Sequence, residues 1–120
     1  MLPAICYRLI MMYRSLVGLL IFTGPVFADP PEIVGSDISA NRVSVTVSHP
    51  DTGWEHYADG WRIEADNGAV IATRELLHPH VNEQPFTRSL SVGDLPEAPL
   101  FIRAKCSVDG WSETRAPLPR

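Results

Sequence analysis

Val43-Ser44-Val45-Thr46-Val47-Ser48 decides the fold class, because apolar and hydroxyl side chains alternate along it without a break. Successive side chains of an extended strand point to opposite faces, so the three valines share one face and Ser44, Thr46 and Ser48 the other. β-branched residues at that period suit a half-buried strand. Working outward, the same period returns. Trp61, Ile63 and Ala65 alternate with Arg62 and Glu64. Asp66-Asn67-Gly68 then reads as a hairpin turn, since Asn and Gly tolerate positive φ. Residues 70–77 form the returning strand. Phe86, Leu90 and Val92 share a face opposite Thr87, Ser89 and Ser91. Leu100, Ile102, Ala104 and Cys106 share another, opposite Phe101, Arg103 and Lys105. A strand before Asn41 and a short one after Thr114 carry weaker patterns. No stretch after Ala28 repeats at 3.6 residues. The expectation is an all-β protein, an antiparallel β-sandwich of about seven strands in a single domain over residues 29–120.

Residues 1–28 read differently. Arg8 and Arg14 make a positive start, Leu16 to Phe22 an apolar run, and Val26-Phe27-Ala28 a small-residue cleavage site. That order describes a signal peptide, with translation starting at Met1, Met11 or Met12. The apolar run from Leu16 to Phe27 holds 12 residues with Gly24-Pro25 inside it, short of the roughly 20 that span a bilayer. The expected product is a periplasmic or secreted protein with no membrane attachment after cleavage. All 14 Asp and Glu lie beyond Ala28, whereas Arg8 and Arg14 are lost from the ten Lys and Arg, which leaves the exported portion at −6. No basic stripe is present, which argues against nucleic acid or anionic lipid as partner. Cys6 leaves with the signal peptide and does not sit at a lipoprotein-type cleavage point, so Cys106 is alone in the exported portion. A single thiol in an oxidising compartment is buried, metal-bound, reactive or paired with another chain.

Strand parity places the chemistry. If the strands run alternately up and down, the connections 50–60, 78–85 and 107–113 fall at one end of the sandwich. The 66–69 turn and the 93–99 loop fall at the other. His49, His56, His78, His80 and Cys106 then gather at the first end, with Trp54, Tyr57, Asn82, Glu83, Asp109 and Trp111. In His78-Pro79-His80 the two imidazoles project the same way from a stiff segment, which suits a first-row metal ion. They can equally serve as loop histidines bonded to backbone. Cys106 is either a ligand or a small core residue on the face of Ile102 and Ala104. The candidate ligands are therefore His49, His56, His78, His80 and Cys106, for copper, zinc or iron. Trp61 is expected in the core. Arg88, on an apolar face, is expected to pair with Glu75 or Glu83 and brace the loop between them.

The strand pattern resembles fibronectin type III and immunoglobulin-like domains. His49-Pro50 followed by His56-Tyr57, and later Cys106-Ser107-Val108-Asp109-Gly110-Trp111, resemble the iron-site segments of superoxide reductases, the desulfoferrodoxin and neelaredoxin group. That resemblance spans roughly 43–111 and implies an immunoglobulin-like sandwich with a mononuclear iron held by four histidines and a cysteine. His49, His56 and Cys106 match ligand positions, Asp109 stands where the family has its last histidine, and the family's first ligand has no counterpart. Ser48-His49-Pro50, Thr52-Gly53 and residues 82–86 are similar to pieces of the small sandwich subunit of the sulfur-oxidation carrier complex. That likeness implies no metal and docking to a protein partner.

Two functions compete on this reading. One is an exported metal-binding sandwich, redox-active if its metal is. The other is a non-enzymatic interaction module that docks a protein partner. No Ser-His-Asp order or nucleophile elbow is visible, and the balance leans away from an enzyme. Cleavage after Ala28 predicts that the intact mass of the exported protein begins at Asp29; a mass that retains residues 16–28 contradicts it.

Overall fold

The structure is a computed structural model that describes residues 29–119; the expected signal peptide lies outside the described residues. Eight strands follow one another: β1 (Glu32–Ser39), β2 (Arg42–Ser48), β3 (Ala58–Ala65), β4 (Val70–Glu75), β5 (Phe86–Ser91), β6 (Leu100–Cys106), β7 (Gly110–Trp111) and β8 (Ala116–Pro117). They make two antiparallel sheets, one ordered β1-β2-β5 and one ordered β4-β3-β6-β7, with β8 also on β6. The described residues are thus all-β, a two-sheet sandwich with no helix among them.

The alternation seen in sequence becomes the core. Val43, Val45 and Val47 of β2 face Trp61 and Ile63 of β3 and Leu100, Ile102 and Ala104 of β6, all essentially removed from water. Each aliphatic side chain so buried contributes about 1.5–3 kcal/mol. The hairpin at residues 66–69 forms as its Asn-Gly pair dictates: Gly68 takes φ +86° and Asn67 Oδ1 accepts the Ala69 N–H at 3.0 Å. The β1–β2 hairpin uses only Ala40 and Asn41, both at positive φ, the two-residue turn whose twist matches paired strands.

Three local expectations change. β3 begins at Ala58, inside a segment expected as loop. Ala58, Asp59 and Gly60 have low strand propensity, but Ala58 pairs with Cys106 and Gly60 with both Glu75 and Lys105. A Cβ at Gly60 would stand 2.9 Å from Lys105 Cε and 3.3 Å from the Arg74 carbonyl, so a larger residue there would make the Lys105 side chain move aside. β7 forms inside the segment expected as the 107–113 loop, whereas the weakly patterned strand expected before Asn41 is present as β1, eight residues long. Glu64 is the third. It alternates outward in sequence yet is 1% exposed, beyond a register shift at Ile63 and Glu64.

Three guanidinium groups cover Glu64. Arg62 and Arg103 each donate to Oε2 at 2.7 Å, and Arg115 donates to Oε1 at 3.3 Å. Arg62 lies over Trp111 at 4.0 Å and Arg115 over Phe101 at 3.9 Å, so aromatic faces fix the cations. Arg103 above all, then Arg62, hold the Glu64 carboxyl at about 2 although burial alone would raise it. The depressed value stabilises the fold above the ordinary range near 4.5, and this contribution fades as pH falls from there toward 2. It amounts to about 3 kcal/mol. Glu64→Gln is therefore expected to cost about 3 kcal/mol at pH 7 and to remove that share of the acid sensitivity, as denaturant unfolding at pH 7 and pH 3 would measure.

Candidate metal centre

β2 and β6 end, and β3 begins, at the same end of the sandwich, because Ala58 pairs with Cys106 and the chain turns back directly after Ser48. Segments 49–57, 76–85 and 107–109 close that end. The first turns at Pro50: the Asp51 N–H donates to the His49 carbonyl at 2.8 Å, a tight turn to which the fixed φ of proline is suited. This folds the Asp51 carboxylate back onto His49.

Asp51 is fully buried and holds three donors. His49 Nδ1 lies 2.6 Å from Oδ1, the Ala58 N–H donates to Oδ1 at 2.9 Å, and the His80 N–H donates to Oδ2 at 2.8 Å. An ionised carboxylate only accepts, so the proton of His49 sits on Nδ1 and the Nε2 lone pair is free. His49 Nε2 is buried without a hydrogen-bond partner among the described residues, and so is His56 Nε2. His56 is set by a turn in which Gly53 takes φ +149° and the His56 N–H donates to the Gly53 carbonyl at 3.2 Å. A Cβ on Gly53 would meet Glu55 Oε2 at 2.7 Å. The two imidazoles meet edge to face at 4.8 Å between centroids.

Cys106 closes the group from β6. Its side chain is buried on the inner face, where alternation placed it. Burial pushes its thiol up from the ordinary value, and the Asp109 N–H, donating to Sγ at 3.3 Å, works the other way. The thiol itself donates to Asp109 Oδ2 at 3.4 Å. One ligand atom each from His49, His56 and Cys106 lie within 4.8 Å of one another. Two bare imidazole nitrogens and a thiol, with a carboxylate behind one imidazole, form a donor set that could hold a metal ion such as zinc, copper or iron.

His78 and His80 stand at the same end but apart from this group. His78 is exposed, and its Nδ1 donates to the Pro79 carbonyl at 3.0 Å. His80 is buried and stacks on Phe86 at 3.8 Å, while Arg88 donates to its Nε2 at 2.7 Å. Burial first, then Arg88, lowers the His80 pKa. Arg88 also lies 3.8 Å from Glu83, the brace expected of it. Asp51 and Gln84 were missed in the sequence. Gln84 accepts from the His49 N–H at 3.0 Å and donates to the His80 carbonyl at 3.0 Å, tying the 76–85 segment to the ligand loop. The only hint of Asp51 was its spacing, two residues after His49 across a proline.

Among the described residues, no helix is long and apolar enough to cross a membrane. No protein-family model matches the chain. No solved structure matches it. A protein of Halomicrobium mukohataei, provisionally named a lipoprotein, is 46% identical over 58 residues. That alignment takes in 48% of this chain and 28% of the relative, so the two are similar over a segment that is about a quarter of the relative's length.

Proposed function

We propose that this chain is an exported sandwich protein, immunoglobulin-like or fibronectin III-like, that binds one transition-metal ion at the His49–His56–Cys106 end. The observation that carries the reading is the pair of buried imidazole nitrogens without partners, next to a buried thiol. Leaving such atoms bare is costly, and a cation would satisfy them together. Asp51 gives the site its orientation: by accepting the hydrogen bond of His49 Nδ1–H it leaves Nε2 to face outward as the free nitrogen, the arrangement by which carboxylates fix ligand histidines. Export accords with the signal-like order of residues 1–28 and with the lipoprotein name of the Halomicrobium relative. Copper or iron at this site would supply one-electron chemistry toward a small oxidant; zinc would not. The likeness to superoxide reductases belongs to the iron form of this proposal.

A second reading has its own observation. Trp54, Leu77, Val81 and Val108 are all largely exposed and lie in the three segments that close this same end. Apolar side chains gathered around a site favour docking of a protein partner. The two readings separate on metal content.

Zn(II) or Co(II) is expected to raise the unfolding midpoint of the mature protein at neutral pH. A hundredfold excess over Kd gives about 2.7 kcal/mol, roughly 10–20 °C for a domain of this size. The gain should shrink on acidification, because the thiol of Cys106, already raised by burial, must lose its proton to bind. Cys106→Ser should abolish thiolate-to-cobalt absorption. No midpoint shift with zinc, cobalt, copper or iron leaves the docking reading.

A further inference from the structure

A file of polar groups runs from the candidate metal centre to the surface. Asp51 holds His49 through Oδ1; its other oxygen, Oδ2, accepts the His80 N–H and lies 4.0 Å from His80 Nδ1. Arg88 occupies the far side of that ring, at 2.7 Å from Nε2, and reaches Glu83 at the surface. We infer that His80 and Arg88 are positioning residues for the metal centre, acting on His49 through Asp51, rather than ligands themselves; this rests on the metal-binding reading.

The geometry leaves one consistent proton arrangement. A guanidinium has donors only, so His80 Nε2 accepts and the ring carries its hydrogen on Nδ1. That Nδ1–H lies 4.0 Å from Asp51 Oδ2, beyond hydrogen-bond distance and without another partner among the described residues, so it acts on the carboxylate as a nearby dipole. Burial and the neighbouring guanidinium keep the ring neutral, in accord with its lowered pKa. The ring cannot turn freely, since it lies within 10° of parallel on Phe86 and is 4% exposed. Without Arg88 the hydrogen could move to Nε2. A lone pair would then face Oδ2 and push the carboxylate away from the position that holds His49. His78 is exposed and bonded to its own neighbour's carbonyl; its ring lies 4.5 Å from that of His80 but reaches neither Asp51 nor Arg88 by a hydrogen bond among the described residues.

Co(II) titration of the mature protein and four variants tests the inference, with ligand-field absorption as the second readout. Arg88→Met is expected to weaken Co(II) binding about tenfold, the lower range for groups behind a metal ligand, and to shift the ligand-field bands. Arg88→Lys, which keeps a cationic donor, should restore most of both. His80→Leu should behave as Arg88→Met. His78→Ala should change neither. Thermal unfolding of the metal-free variants reports folding separately. If Arg88→Met does not fold, the comparison of Arg88→Lys and His80→Leu with the parent decides. Unchanged affinity and bands in folded His80→Leu overturn the positioning role while leaving the site intact. Loss of binding in His78→Ala overturns it in favour of a His78–His80 ligand pair. No Co(II) binding by the parent overturns the metal reading itself, and this inference with it.

Discussion

One buried carboxylate organises the functional end of this protein. Asp51 sits where three segments must meet: the turn after β2, the start of β3, and the 76–85 connection. Each supplies a donor that burial would otherwise leave unsatisfied. Hydrogen bonds to a charged acceptor contribute about 1.5–3 kcal/mol apiece, so the carboxylate offsets its own desolvation only because all three donors reach it. The same contacts decide the chemistry. With its Nδ1 proton committed to Asp51, His49 has only Nε2 to offer a metal, and its ring stands in the group completed by His56 and Cys106.

Glu64 plays the matching role on the outer face of the larger sheet. Three arginines from β3, β6 and the segment before β8 converge on it, and Trp111 and Phe101 lie beneath two of them. It fastens the C-terminal segment, and with it β7, against β6. β7 in turn pairs Gly110 with Cys106, which sets the short turn that places Asp109 on the thiol. Cys106 and the ion cluster thus belong to the same sheet, linked through β6 and β7.

The alternation of Val43, Val45 and Val47, of Trp61 and Ile63, and of Leu100 to Cys106 was readable because it is local: each side chain's face follows from its neighbours two residues away. Strand parity was readable for the same reason, and it put the four histidines and Cys106 at one end. What could not be read depends on distant residues. Asp51 is 29 positions from His80, and Glu64 is 39 and 51 positions from Arg103 and Arg115. No periodicity distinguishes a carboxylate that will be buried by such partners from one left in water. His80 shows the same limit. Its i, i+2 relation to His78 is local, but the guanidinium on its Nε2 comes from β5.

The central claim is that His49, His56 and Cys106 share one metal ion. X-ray absorption at the metal edge of the zinc-loaded mature protein tests it most directly. The account predicts one sulfur scatterer at about 2.3 Å and imidazole nitrogens at about 2.0–2.1 Å, with the sulfur lost in Cys106→Ser. A first shell of nitrogen and oxygen alone, unchanged by that substitution, would contradict it.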